Sequence, residues 1–347
     1  LRILIVTDAW HPQINGVVRT LATVRDELTA MGHEVAMVTP DMFRTVPLPT
    51  YREIRLALHP APQLRGVLGE FRPQAIHIAT EGPLGLAARR LCLRRGLPFS
   101  TSLHTRFPEY VHARTHLPVS WGYAVLRWFH RPAAGVMVAA PSVRRELEAN
   151  GFANIRAWCR GVDIGLFRPR PGEALHETDP RPVFLYTGRI AVEKNIAAFL
   201  ALDLPGSKWV VGEGPQLAEL QRRFPDARFC GPQRGEALAR HFASADVFVF
   251  PSLTDTYGLV VLEALACGVP VACFPVSGPR DVLEGSQGVG ALSEDLRQAA
   301  LAALELDPGA CRAFAAEKSW RRCAELFLAN LAPFAAETAG DPVHQPG

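Results

Sequence analysis

The sequence predicts an α/β protein made of two doubly wound, parallel-sheet domains facing a cleft. Three observations carry that expectation. Short runs rich in Val, Ile and Phe recur along the chain, apolar throughout rather than alternating, as strands covered on both faces require. Stretches of helical periodicity separate them, which gives a βαβ rhythm. The rhythm lapses once, across residues 160–182, where Pro169, Pro171, Pro180 and Pro182 crowd a segment with little periodicity, and then restarts.

In the first half, strands are expected at 3–7, 34–40, 75–80, 97–104, 134–139 and 155–158, with helices at 18–31, 84–95 and 142–150. Gly32 sits where the first helix should stop. In the second half, strands are expected at 183–188, 207–212, 227–231, 245–250 and 269–274, with helices from 194, from 215, at 235–243 and from about 259. The pattern after 294 is helical to about 331, and the tail beyond 337 is expected to fray. These elements divide into domains at 1–165 and 166–318, with 319–347 as a final helical segment.

Composition bounds the function. The chain has 347 residues, 48% hydrophobic and 20% charged, as a globular protein with two cores would. Leu1 leads straight into a strand-like run, so no leader is expected, and the apolar stretch 258–275 is broken by Glu263, Gly268 and Pro270, so it is not expected to span a membrane. The cysteines at 92, 159, 230, 267, 273, 311 and 323 form no C-x-x-C pair, which points to reduced thiols in a cytoplasm. Charge is uneven. Residues 1–167 hold 20 Arg, no Lys and 12 acids, a net +8, leaving 17 bases and 22 acids, a net −5, in 168–347. A basic half suits an anionic membrane surface, although Arg-heavy codon usage would look the same. No basic run interleaved with aromatics tracks a nucleic acid, so none is expected as partner.

Candidate chemistry clusters where strands should end. The stretch 245–268 reads as a buried strand, a polar turn and then a helix closed by Gly268. A helix N-terminus following a strand favours an anion. Asp255 lies in that turn and Glu263 eight positions later. Carboxylates repel phosphate, but each accepts hydrogen bonds from sugar diols, worth roughly 1.5–3 kcal/mol apiece. A nucleotide sugar has diols at both ends and a pyrophosphate between. The plainer alternative makes Asp255 a helix cap and Glu263 a surface acid.

Arg189 and Lys194 follow the strand ending at Gly188, and two cations at a sheet mouth can neutralise a diphosphate; as ordinary surface charges they would look alike. Asn15-Gly16 precedes the first helix, where a glycine admits a phosphate close to the backbone, or simply makes a turn. Gly212 and Gly214 give only a partial dinucleotide fingerprint, because Leu217 stands where its third glycine belongs. His104 ends the strand at 97–104, either as a hydrogen-bonding partner of a reacting sugar or as a buried, satisfied histidine. Along the chain there is no Asp-x-Asp and no His/Cys cluster, so no metal is expected. Trp121, Val125, Trp128 and Phe129 share a predicted helix face beside Arg127 and Arg131, which fits an interfacial helix or a core helix.

Together TGRIAVEKN, VGEGP, the strand-turn-helix around Asp255 and Glu263, and the early NGV turn resemble glycosyltransferase family 4, retaining enzymes of the GT-B fold with two Rossmann-like domains. IHIATEGPLG, SLHTRFPEY, LRWFH and RGVDIGLFRP are similar to its branch of sulfolipid synthases and lipid mannosyl- and glucosyl-transferases. The resemblance implies an acceptor-side first domain, a nucleotide-sugar-binding second domain and a final helix crossing back to the first. It implies that Glu263 binds ribose hydroxyls, Asp255 the transferred sugar, and Arg189 and Lys194 the diphosphate. It further implies that His104 touches the donor sugar, that the backbones of Gly16, Tyr257, Gly258 and Leu259 approach the donor, and that the base lies near Cys230 and Gly231. The family pair is Glu, seven residues, Glu; here Asp255 stands first, shortening the reach by roughly one C–C bond, ~1.5 Å.

The resulting expectation is metal-independent transfer of a hexose from a UDP- or GDP-linked donor to a hydroxyl, with a membrane glycerolipid as acceptor. His104, Asp255, Arg189 and Lys194 would be catalytic, no cofactor beyond the donor is needed, and the first domain would meet the inner face of the cytoplasmic membrane. Asp8 and Glu109 are further acids near the expected cleft, each equally readable as structural. Three other readings stand: a nucleotide-sugar epimerase on the same scaffold, a transferase with a soluble or polysaccharide acceptor, and a donor-binding module without turnover.

Overall fold

The computed structural model describes residues 1–335 except 12, 14, 15, 49, 50, 105–117, 174, 254–256 and 287, and the backbone alone of 51–53. The chain forms two compact units, Leu1–Cys159 with Trp320–Gly347, and Arg160–Ser319.

The first unit is built on six parallel strands: β1 (Arg2–Val6), β2 (Glu34–Val38), β5 (Ala75–Ile78), β6 (Ser100–Leu103), β7 (Gly135–Val138) and β8 (Ile155–Ala157), in the order β2-β1-β5-β6-β7-β8. Successive side chains of a strand point to opposite faces, and β1 shows the result. Ile3 and Ile5 join a core with Val18, Leu21, Val24 and Leu28 of the Gly16–Ala30 helix. Leu4 and Val6 join another with Leu64, Leu68, Leu84 and Ala88. Helices on both faces explain why β5 and β7 are buried throughout and why the sequence there does not alternate.

The last helix, Trp320–Ala329, belongs to this unit. Trp320, Cys323, Ala324 and Phe327 are buried in the β1 core. Trp158 Nε1 donates to the Cys323 carbonyl at 3.1 Å and Asn330 Nδ2 to the Ala157 carbonyl at 2.8 Å.

Residues 45–71 carried no expected element, yet they form an antiparallel hairpin, β3 (Thr45–Leu48) and β4 (Tyr51–Ala57), followed by the Ala61–Phe71 helix. Prolines 47, 49 and 60 mask the pattern: Pro47 is tolerated because the hairpin stands apart from the main sheet as a two-stranded piece.

The second unit has β9 (Val183–Thr187), β10 (Ser207–Val211), β11 (Arg228–Gly231), β12 (Val247–Phe250), β13 (Val271–Cys273) and β14 (Gly290–Leu292), all parallel, in the order β11-β10-β9-β12-β13-β14. Val183 and Leu185 face one core with Phe248 and Phe250, while Phe184 and Tyr186 face the other with Val247 and Val249. The expected helix from 194 is shorter than its periodicity suggests. A single 3-10 turn, Val192–Lys194, ends at Asn195 in the left-handed conformation (φ 53°) before the Ile196–Leu200 helix begins. β14 and the Ser277–Leu283 helix were not anticipated, being short and poor in periodicity.

Candidate active site

The order of the second sheet reverses direction between β9 and β12, the first and fourth strands of that unit. In doubly wound sheets a ligand site opens at the C-terminal ends of such a pair. β9 leads into Gly188, Arg189 and the 192–194 turn; β12 leads through Pro251 and Ser252 to Tyr257, Gly258 and the Leu259–Ala266 helix. Two bonds tie the loops together. Asn195 Nδ2 donates to the Pro251 carbonyl at 3.2 Å, and Ser252 Oγ to the Glu193 carbonyl at 3.3 Å. The loops that carry Arg189, Lys194, Tyr257, Gly258 and Leu259 therefore lie side by side, with Glu263 one turn into the helix that follows. Asp255 lies outside the described residues.

Each position has a local cause. Gly258 precedes the helix at φ 76°, and an added Cβ would meet the Phe250 ring at 3.3 Å, so the strand-to-helix turn can be this tight only with glycine. Among the described residues no side chain caps that helix, and its first-turn amides follow directly on the strand-to-helix turn. Its residues 261–266 are all buried, and Glu263, 2% exposed, is the one acid among them. A carboxylate held in so apolar a helix is costly, which makes Glu263 a candidate functional position. Arg189 is exposed, and among the described residues its guanidinium pairs with no carboxylate. Lys194 is half-buried.

Gly212 and Gly214 are required by the packing of the rim itself. A Cβ on Gly212 would lie 1.9 Å from the Gly188 carbonyl oxygen, and one on Gly214 would lie 2.3 Å from that of Ile190. Backbone bonds from Gly188 N to Val211 O (3.0 Å), Ile190 N to Glu213 O (2.8 Å) and Gly212 N to Gly231 O (2.9 Å) run from β9 to β11 and link Gly231 to the same edge. Sequence reasoning missed two polar groups here. The Ser252 hydroxyl is fully buried, and Thr187 Oγ1, at the end of β9, is buried without a hydrogen-bond partner among the described residues. A lone Ser or Thr at a strand end gives no sequence signal.

The first unit presents a different kind of rim. His104, half-buried just past β6, bonds through Nε2 to Ser102 Oγ at 2.8 Å. Ser102 Oγ in turn bonds His77 Nε2 at 3.0 Å, and His77 Nδ1 reaches Ser100 Oγ at 2.9 Å. Burial, reinforced by the His130 charge, pushes His77 down to about 3, so it stays neutral at any working pH. Ser102 has one proton to give, and its hydroxyl also reaches the Ala79 carbonyl at 3.4 Å, so His77, His104 and that carbonyl compete for a single donor. On the opposite face of β6, His130 bonds Thr101 Oγ1 at 2.9 Å and Glu81 Oε1 at 3.1 Å.

Asp8 is structural. Its carboxylate accepts from the amides of Leu84 (2.8 Å) and Gly85 (3.2 Å) and from Thr80 Oγ1 (2.9 Å), capping the Pro83–Arg95 helix. Burial raises its carboxyl above the ordinary range against those bonds. Glu109 lies outside the described residues. Gly16 opens the Gly16–Ala30 helix, exposed, with nothing within 4 Å of an added Cβ.

The Val119–His130 helix corrects one expectation. Phe129 is 2% exposed and belongs to the core, whereas Trp121, Val125 and Trp128 are 65%, 63% and 55% exposed. Helical rotation of 100° per residue carries 129 round the edge of the stripe formed by 121, 125 and 128. Arg89 lies 4.1 Å from the Trp128 ring centroid, beside a groove of ≈ 820 Å³ lined by Arg127, Arg131, Phe152 and Asn154.

Residues 14–166 match Glycosyltransferase Family 4, and residues 181–306 match Glycosyl transferases group 1. A GDP-mannose-dependent alpha-mannosyltransferase of Mycolicibacterium smegmatis is 32% identical over 310 residues, 82% of this chain and 82% of its own. The chain belongs to glycosyltransferase family 4. A sulfoquinovosyl transferase of Arabidopsis thaliana is 31% identical to this glycosyltransferase over 291 residues, 75% of this chain and 56% of its own. Two solved structures share the fold: sucrose-phosphate synthase from Thermosynechococcus elongatus (TM-score 0.72, 21% identity, covering 94% of this chain and 97% of that one) and Anabaena HepE in complex with UDP (TM-score 0.71, 14% identity, covering 95% and 99%). The glycosyltransferase thus has the GT-B fold, and its donor is a nucleotide sugar.

Proposed function

We propose that the chain is a retaining, metal-independent hexosyltransferase that moves a sugar from a UDP- or GDP-linked donor to a hydroxyl of a membrane glycerolipid. The donor is assigned to the second unit and the acceptor to the first. Glu263 takes the ribose diol, Asp255 the transferred sugar, and Arg189 and Lys194 the diphosphate. The backbone of 257–259 and of Gly16 approaches the donor, and Gly231 the base. Support comes from the exposed Arg189 and the Leu259–Ala266 helix, neither paired nor capped by a side chain among the described residues, and from the buried Glu263 one turn into that helix.

In the reaction the bond between the anomeric carbon and the diphosphate oxygen breaks. The acceptor oxygen forms its bond on the same face, and the acceptor proton passes to the departing diphosphate. Arg189, Lys194 and the helix amides stabilise the charge that grows on that leaving group. His104, held by Ser102, hydrogen-bonds the donor sugar.

The observation that carries the acceptor is the exposed stripe of Trp121, Val125 and Trp128 beside arginines, on the half of the chain with a net charge of +8. Aromatic rings flanked by cations suit the interface of an anionic bilayer. Relatives with the printed names alpha-monoglucosyldiacylglycerol synthase and sulfoquinovosyl transferase favour the same class. No helix among the described residues is long and apolar enough to cross a membrane. The proposed attachment is peripheral, at the cytoplasmic face, through the exposed stripe and its arginines.

The test is turnover. Purified protein is incubated with GDP-mannose or UDP-glucose and vesicles of diacylglycerol and anionic phospholipid, and released nucleotide diphosphate and glycolipid are measured. Both are expected to accumulate together with one donor. Release that is equal with a soluble sugar acceptor and no vesicles would refute the lipid assignment.

A further inference from the structure

Folding gathers three side chains that no sequence spacing joins. One ligand atom each of His176, Cys230 and His241 lies within 4.8 Å of the others. His176 belongs to the segment before β9, Cys230 to β11, and His241 to the Gly235–Ala243 helix.

The cluster is built rather than accidental. His241 Nδ1 lies 2.7 Å from the Ala237 carbonyl, so Nδ1 carries the proton and Nε2 the lone pair, the arrangement that orients ligating histidines. His176 is set at φ 50° on a short loop closed by Asp179 N donating to its carbonyl at 2.9 Å. Asp179 is anchored twice: Trp209 Nε1 donates to it at 2.9 Å and Arg228 grips it through two nitrogens, at 2.5 and 2.6 Å. Arg228 stands two residues before Cys230, so the same anchor fixes both sides of the cluster. The Trp209 ring packs edge-on to His176, centroids 5.2 Å apart, and 6.4 Å from His241.

We propose that His176, Cys230 and His241 form a zinc-class metal site of two imidazole nitrogens and one thiolate, with a fourth position open. Two nitrogens and a sulfur select a borderline-soft cation such as Zn²⁺ over Mg²⁺ or Ca²⁺, which require oxygen. Bonds of about 2.0–2.1 Å to nitrogen and 2.3 Å to sulfur place tetrahedral ligands roughly 3.3–3.7 Å apart. The cluster has to close by about 1 Å, and the exposed His176 side chain can supply that. Binding exchanges the thiol proton for the metal: Zn²⁺ and Cys–SH give a zinc thiolate and one released proton. The site is separate from Arg189, Lys194 and Glu263, although Cys230 adjoins Gly231 on the edge assigned to the base.

Metal-free full-length protein is titrated with Zn²⁺ by calorimetry and with Co²⁺ by absorption spectroscopy. The expected result is one equivalent bound, with a thiolate-to-cobalt charge-transfer band and the strong visible bands of four-coordinate cobalt. Cys230→Ser should abolish the charge-transfer band, and His176→Ala, at an exposed position, should weaken Zn²⁺ at least tenfold. Zn²⁺ should also shield Cys230 from alkylation while leaving the half-buried Cys159 reactive. Binding unchanged in Cys230→Ser, no charge-transfer band, or equal shielding of Cys159 and Cys230 would overturn the assignment.

Discussion

At the mouth of the first sheet the polar groups are side chains held by other side chains, Ser100, His77, Ser102 and His104 in series. At the mouth of the second the scaffold is backbone: Gly188, Gly212 and Gly231 pass hydrogen bonds from strand to strand, and the side chains proposed to bind the donor stand on that frame. On the proposed function the contrast has a physical origin. A diphosphate carries charge spread over several oxygens and is best met by amides and cations, so its rim must bring backbone close. A sugar hydroxyl needs one donor and one acceptor correctly aimed, which an imidazole held by Ser102 would provide.

The comparison breaks most visibly at the glycines. Gly212→Ala should destabilise the protein by more than about 3 kcal/mol, because its Cβ has no room beside the Gly188 carbonyl. Gly16→Ala should leave the denaturation midpoint within about 1 kcal/mol of the parent and raise the donor KM instead. Urea titrations of both variants decide whether the second rim is backbone-built and the first is open.

Next in size is nucleotide affinity. Glu263→Ala should weaken binding of the free nucleotide diphosphate by about 10- to 100-fold, the loss of one or two charge-assisted bonds. Equal affinity in calorimetry would remove Glu263 from the site. Asp255→Ala should chiefly lower turnover.

The first rim can be probed through pH. The folded-state pKa of His77 lies below its unfolded value of 6.5, at about 3. Its contribution to stability is therefore complete above pH 6.5 and is lost as pH falls through the window from 6.5 to about 3. The slope is about 1.4 kcal/mol per pH unit. His77→Gln should flatten that part of the stability profile and also shift the pH dependence of kcat through His104. An unchanged profile would show that His77 does not set it.

The smallest effect is expected at the exposed stripe. Trp128→Ser should leave folding within about 0.5 kcal/mol of the parent yet reduce co-sedimentation with anionic vesicles severalfold. Undiminished vesicle binding in a Trp121→Ser, Trp128→Ser double variant would place the lipid contact elsewhere.

Much of the fold was legible in the chain. The doubly wound rhythm follows from apolar strands covered on both faces, and the rule that such sheets bind ligands at strand ends makes Arg189, Lys194 and Glu263 candidates. Other features left no trace. His77, Ser100 and Ser102 look like ordinary strand residues, since their partners lie 23 to 25 positions apart along the chain. Phe129 was grouped with its exposed neighbours because spacing alone does not say where an apolar stripe ends. The 45–71 hairpin and helix were hidden by prolines.

The sequence by itself determined the local elements, the alternation that makes the sheets parallel, and the charged and glycine positions at their ends, all of which depend on neighbours within a few residues. Only the tertiary structure decided which distant groups meet. It linked His104 through Ser102 to His77, packed Gly212 and Gly214 against the Gly188 and Ile190 carbonyls, and drew His176, Cys230 and His241 together. Such contacts depend on strand order and loop closure, and these are fixed only when the whole core is buried.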